Sequence, residues 1–153
     1  MRVLLASASE RRFAWLNDCF QSIDITCIPL ISKEKNIEKN KSVKQQSKDI
    51  CFSKAESAAL EWSFVDSETH DIPDLIIVSD TLVESPGNEN MALGKPEDSF
   101  MSTSMLLRLS GKRHRVWSST AILVQKNKQY QSCLLYTSDA ADDTPCVDLG
   151  GRR

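Results

Sequence analysis

The hexapeptide Ser7-Ala8-Ser9-Glu10-Arg11-Arg12 directly follows a short apolar run, Val3 to Ala6. A strand that stops in Ser-x-Ser and opens a helix gathers hydroxyls, free backbone amides and the positive helix end in one place. Two guanidiniums stand beside them, and together these groups suit an anion. Taken alone, Ser9 need be no more than a helix cap and the arginines no more than a solvated face. Asp80 is the second candidate: it ends the apolar run Leu75 to Val78 in Ser79-Asp80-Thr81. A carboxylate at the carboxyl end of a buried strand sits where open α/β sheets place ligands, and it can hold Mg²⁺ or take a proton from water. Its plainer role is a cap or turn former. Lys95, in Leu-Gly-Lys-Pro, stands between a glycine and a proline. That stiff setting presents an ammonium to phosphate, although a lone Gly-Lys-Pro is more often just a turn. His114 reads as a structural histidine opening a strand rather than as a general base.

The elements that must position these groups follow from apolar spacing. Val3 to Ala6 predicts a buried strand, and Ser9 caps a helix carrying Phe13, Leu16 and Phe20 on one side, with Glu10 favourable in its first turn. A second strand is expected within Ser22 to Ile31. A helix from about Val43 to Trp62 follows, with Cys51, Ala55, Ala58, Ala59 and Trp62 on one stripe and Lys54 at its edge. Leu75 to Val78 reads as a buried strand, Ser85 to Asn90 as a turn, and Pro96 to Leu109 as a helix with Met105, Leu106 and Leu109 on its apolar face, ended by Gly111. Val116 to Val124 is a further strand. The mixture of strands and helices is that of an α/β domain.

Composition removes several function classes. At 153 residues and 41% hydrophobic content the chain can enclose one ordinary core. The formal charge of −2, which hides a lysine-rich segment from Lys33 to Lys48 and an acidic one over 61–74, does not indicate bulk binding to a nucleic acid polymer. No apolar stretch nears the roughly 20 residues that cross a bilayer, and no secretory h-region opens the chain. The expectation is a cytoplasmic protein without membrane contact. Cys19, Cys27, Cys51, Cys133 and Cys146 form no Cys-x-x-Cys pair, and only His70 and His114 supply imidazole. A zinc site and a disulfide framework are both disfavoured. The absence of Gly-x-x-x-x-Gly-Lys argues against a Walker-type ATPase.

Taken together, Ser7-Ala8-Ser9-x-Arg11-Arg12, Lys54-Ala55, the strand into Asp80-Thr81, Gly94-Lys95-Pro96, and Met105-Leu106-x-x-Leu109-Ser110-Gly111 with His114 and Val116 resemble the Maf family in order and separation. The resemblance implies a mixed β-sheet flanked by helices, of the Maf/inosine-triphosphatase-like kind with a two-lobed cleft. It also implies a nucleoside triphosphate pyrophosphatase that hydrolyses an NTP or dNTP to the monophosphate and pyrophosphate with a divalent cation, Mg²⁺ or Mn²⁺, and it allows a homodimer. The substrate is either non-canonical or of the dTTP/UTP type. By position, the resemblance makes Asp80 the proton acceptor and a metal ligand. Arg11 and Thr81 bear on base choice, and Ser7, Ser9, Arg11, Arg12, Lys54 and Lys95 surround the phosphates. Glu34 is the candidate second acidic metal ligand, with Glu38 as its alternative. Glu10 replaces the proline usual in the family and adds a negative charge near the phosphate site.

The resemblance ends near Ser132. CLLYTSDAADDTPCVDLGGRR stands where later family segments are expected. Cys133 to Asp143 resembles a translated adapter of the kind used in transposon-based sequencing libraries, the other reading being a natural polar tail. The expectation is therefore a partial Maf-like domain over residues 1–132 and a non-native, irregular tail over 133–153. A catalytically inactive nucleotide-binding remnant is the alternative function.

Overall fold

The computed structural model describes residues 1–32, 40–65, 71–127 and 129–139, with 133–139 described by backbone alone. Within them the chain runs β1 (Arg2–Leu5), α1 (Glu10–Cys19), β2 (Asp24–Cys27), α2 (Val43–Ser63), β3 (Leu75–Ser85), β4 (Asn88–Leu93), α3 (Ser99–Leu109), β5 (Val116–Lys126) and β6 (Gln129–Asp139). The strands form one mixed sheet in the order β2-β1-β3-β5-β6, with β4 also paired to β3. β2 and β3 both run parallel to β1, whereas β4 and β5 run antiparallel to β3.

Alternation along the strands divides the core between the two faces. Leu4, Ile76, Val78, Ala121 and Leu123 pack with Cys51, Ala55 and Ala58 of α2. Val3 and Leu5 point the other way, joining Leu16 of α1 and Ile25 of β2, with Leu75 and Ile77 partly buried against them. The small residues on the expected α2 stripe allow that helix to lie close to the sheet. A third cluster, Val43, Ile50, Leu82 and Trp117, extends the α2 face toward the far end of β3.

β3 is longer than its apolar run suggests, because its polar end continues as strand. On one edge it pairs with β5 from Leu75↔Val124 to Val83↔Val116. On the other edge it pairs with β1 only from Leu75 to Ile77, and with β4 only from Val83 onward. Residues 78–82 thus lie where the sheet has parted on one side. β4 itself falls partly inside the expected turn: the reversal is confined to Pro86 and Gly87, and Gly87 takes φ +76, the left-handed value a tight Pro-Gly turn requires.

α3 begins at Ser99 behind an Asp98 N-cap, later than Pro96, and has no buried residue. Leu106, placed on its core face by spacing, is 66% exposed. Periodicity identifies an apolar stripe but not the surface that meets it. Ser132, the last residue of the expected partial domain, lies within a strand. β6 continues through Asp139 opposite Trp117, with a register shift beside Leu123. Antiparallel pairing uses backbone groups, so a segment of unrelated sequence can extend a ladder wherever an edge is offered. Residues 140–153 lie outside the described residues. No helix among those described is long and apolar enough to cross a membrane.

Candidate functional site

The loop from β1 to α1 brings the serines and one arginine onto a single spot. Ser9 is the N-cap, accepting from the Arg12 amide at 3.4 Å, and Ser7 Oγ accepts from the Ser9 amide at 3.1 Å. These bonds leave both serine protons available to donate outward at the positive end of α1. Arg12 turns back over the parted edge of β3. Its Nη1 donates to Ser7 Oγ at 3.4 Å and to the Ser79 carbonyl at 3.3 Å, and its Nη2 donates to Thr81 Oγ1 at 3.0 Å. The guanidinium therefore serves a strand carbonyl at the gap left by β1 and β4, and ties α1 to β3.

Asp80 leaves the opposite face of β3. It is 8% exposed, and its Oδ1 accepts from Lys54 Nζ of α2 at 2.7 Å. Asp80 Oδ2 is buried and has no hydrogen-bond partner among the described residues. A bare buried carboxylate oxygen is costly, and a cation or a donated water proton would relieve it. The Cys51 thiol lies beneath these charges. Burial first, and the Asp80 carboxylate second, push it up to about 11, opposed by Lys54, a backbone hydrogen bond from Ala121, and Arg12. Asp80, Lys54 and Arg12 thus all act electrostatically on one buried thiol.

That orphan oxygen fits a divalent cation. Among the described residues there is no cluster of three or more His, Cys, Asp or Glu side chains suited to a metal. The fit is therefore to an ion such as Mg²⁺ that binds one or two carboxylates and takes its remaining oxygens from water and phosphate. Glu34 and Glu38 lie outside the described residues.

The other sequence candidates are placed less centrally. Arg11 is exposed on α1, and the contact to Thr81 is made by Arg12 instead. Lys54 faces Asp80, so its described partner is the carboxylate. Lys95 is exposed in the link from β4 to α3, two residues beyond Leu93, which pairs with Val83. It follows the β4 border of the gap without a described contact to Arg12. His114 is half-buried ahead of β5, with Nδ1 3.3 Å from the Lys112 carbonyl, and has no described hydrogen bond to the residues of the site. Sequence reasoning missed Ser118 of β5, whose Oγ lies 3.2 Å from Thr81 Oγ1. Its signal was available in the polar run Ser118-Ser119-Thr120 inside an otherwise largely apolar strand.

The family model for Maf-like protein matches residues 2–141. The chain belongs to the Maf-like protein family. Its relatives include a dTTP/UTP pyrophosphatase of Clostridium beijerinckii, 30% identical over 149 residues, covering 94% of this chain and 71% of the relative. A dTTP/UTP pyrophosphatase of Clostridium novyi is 33% identical over 129 residues, covering 83% of this chain and 60% of the relative. A nucleoside triphosphate pyrophosphatase of Haemophilus ducreyi is 28% identical over 135 residues, covering 87% and 61%. This Maf-like chain thus spans from 60% to 71% of the length of these three relatives. The family match extends to residue 141, past the end of β6 at Asp139.

Proposed function

We propose that this Maf-like chain carries the catalytic groups of a nucleoside triphosphate pyrophosphatase, with Asp80 as proton acceptor. The observation that carries the reading is Asp80 Oδ2, a buried carboxylate oxygen lacking a partner among the described residues, on the parted stretch of β3 whose opposite face carries Ser7 and Arg12. The relatives' names supply the substrate class: an NTP or dNTP, with dTTP and UTP the first to try.

In this reading the triphosphate lies along the gap. Ser7, Ser9, Arg12 and the first turn of α1 neutralise phosphate oxygens, and Lys95 approaches from the β4 border. Water attacks the α-phosphorus, forming the new P–O bond as the bond to the bridging α–β oxygen breaks. Pyrophosphate leaves, and the water proton passes to Asp80. Asp80 would also hold the divalent cation, which supplies charge neutralisation to the phosphates. Lys54 keeps the carboxylate aimed, since its ammonium fixes Oδ1 and leaves Oδ2 for the reacting side.

Incubation of the chain with single nucleotides and Mg²⁺, followed by separate assays for pyrophosphate and orthophosphate, tests the reaction. Pyrophosphate release in step with monophosphate is expected, and Asp80→Asn is expected to lower it by at least about a hundredfold. Orthophosphate as the first product, or near-normal turnover in Asp80→Asn, would end the proposal. A nucleotide-binding chain without turnover is the second reading. It is favoured by the uncovered apolar residues of α3, Phe100, Leu106 and Leu107 among them, and it corresponds to binding without either product.

A further inference from the structure

Thr81 Oγ1 sits between two partners of unequal chemistry, Arg12 Nη2 at 3.0 Å and Ser118 Oγ at 3.2 Å. A guanidinium only donates, so Thr81 receives its bond and has one proton to place. Receiving a charge-assisted bond makes a hydroxyl the better donor, which orients the chain from Arg12 to Thr81 to Ser118. Ser118 then accepts from Thr81, and its own proton remains for a further acceptor.

Among the described residues, no hydrogen bond is seen to consume that proton within the sheet. Ser118 is half-buried on the face of β5 shared with Thr120, and Thr81 is exposed. Thr120 Oγ1 is already committed to Ser79 Oγ at 3.2 Å. The buried hydroxyl pair Ser47 and Ser119 lies on the opposite, α2 face. The Thr81–Ser118 pair therefore opens onto the face that carries Ser7 and Arg12, and lies beyond Arg12 from Ser7.

We infer that Ser118 is a base-contacting residue of the nucleotide site, donating its polarised hydroxyl to an exocyclic ring carbonyl and so favouring uracil or thymine over cytosine. The inference rests on the proposed nucleotide reading, which puts the phosphates at Ser7 and Arg12 and hence the base farther along the same face. Cytosine presents an amino donor where uracil presents an acceptor. Ser118 could meet that amino group only with its remaining lone pair, which leaves its polarised proton without the acceptor that uracil supplies.

Calorimetric titration of the intact chain with the α,β-methylene analogues of UTP and CTP, which resist cleavage at the bridging position, tests this without turnover. The unsubstituted chain should bind the uridine analogue about tenfold more tightly than the cytidine analogue, the worth of one oriented hydrogen bond. Ser118→Ala should reduce that ratio to about twofold or less with an unchanged unfolding temperature, and Ser118→Thr should restore it. Equal binding of the two analogues by the unsubstituted chain, or a ratio untouched in Ser118→Ala, overturns the role of Ser118 and leaves the nucleotide reading standing. Failure to bind either analogue overturns both.

Discussion

Lys54 of α2 and Asp80 of β3 form a largely buried ion pair across the helix–sheet interface, Nζ to Oδ1 at 2.7 Å. The pair spends one carboxylate oxygen on structure and leaves the other buried and without a partner among the described residues. Replacing one partner should cost more than replacing both, because a lone buried charge is worse than none. Lys54→Met alone is expected to destabilise the fold by about 3 kcal/mol, and Lys54→Met with Asp80→Asn by clearly less than the sum of the single changes. Urea unfolding of the four proteins measures the coupling; additive losses would mean that the two charges do not depend on each other.

The two arginines of the opening motif separate in the same way. Arg12 holds Ser7, Ser79 and Thr81 at once, while Arg11 is exposed on the outside of α1. Arg12→Ala should raise KM by about tenfold or more, and Arg12→Lys should recover little, because one ammonium cannot bridge three acceptors spread across a planar fork. Arg11→Ala should change KM by about twofold or less. Steady-state kinetics on dTTP and UTP compare them. A shift in the dTTP to CTP ratio confined to Arg11→Ala would return base choice to Arg11.

The alternation and helical spacing of the chain carried β1, α1, α2 and the apolar half of β3, because each of these buries a regular stripe. Asp80 was legible from its place at the end of Leu75 to Val78. Its pairing with Lys54 was not, since the register of α2 on the sheet depends on contacts such as Cys51 with Val78 that no local pattern encodes. The same holds for Arg12 and Arg11: adjacent positions on a helix diverge by about 100°, and only the docked angle of α1 decides which one reaches Thr81. β4 was hidden because its residues are mostly exposed, with no apolar alternation to mark them.

Tyr130 anchors the start of β6, donating its hydroxyl to the Pro73 carbonyl at 2.6 Å. Burial first, and Asp74 second, raise its phenol from 10.0 to about 12, with Arg2 opposing. The folded state therefore holds the proton more tightly than the unfolded chain. This contribution is fully present below pH 10 and is lost as pH rises toward 12, up to about 3 kcal/mol in all. Tyr130→Phe should lower stability by about 1 kcal/mol at neutral pH, through the lost hydrogen bond, and should flatten the decline between pH 10 and 12. The raised thiol of Cys51 contributes a separate decline beginning near pH 9. Denaturant titrations at pH 8 and 11 on both proteins read the difference, and equal declines would remove Tyr130 as its source.

Strand β6 decides what residues 133–139 do for the fold. The sequence from Cys133 resembles an adapter translation, and an irregular tail there would leave stability unchanged within about 0.5 kcal/mol when removed. Its backbone instead continues the ladder on β5 from Ile122↔Leu134 to Trp117↔Asp139. Ending the chain at Ser132 removes those bonds and leaves the β5 backbone as an open edge beside Ser118 and Ser119. At a net contribution near 1 kcal/mol for each hydrogen bond, partly replaced by water, the loss should reach at least about 2 kcal/mol. The exposed edge should also promote self-association. Thermal unfolding and size-exclusion chromatography of the chain as given, and of chains ended at Ser132 and at Asp139, measure both effects. A chain ended at Asp139 should keep the stability that the shorter one loses. If the chain ended at Ser132 unfolds at the same temperature as the others and remains equally monodisperse, the pairing from Leu134 to Asp139 contributes nothing, and the domain is complete in energetic terms at Ser132.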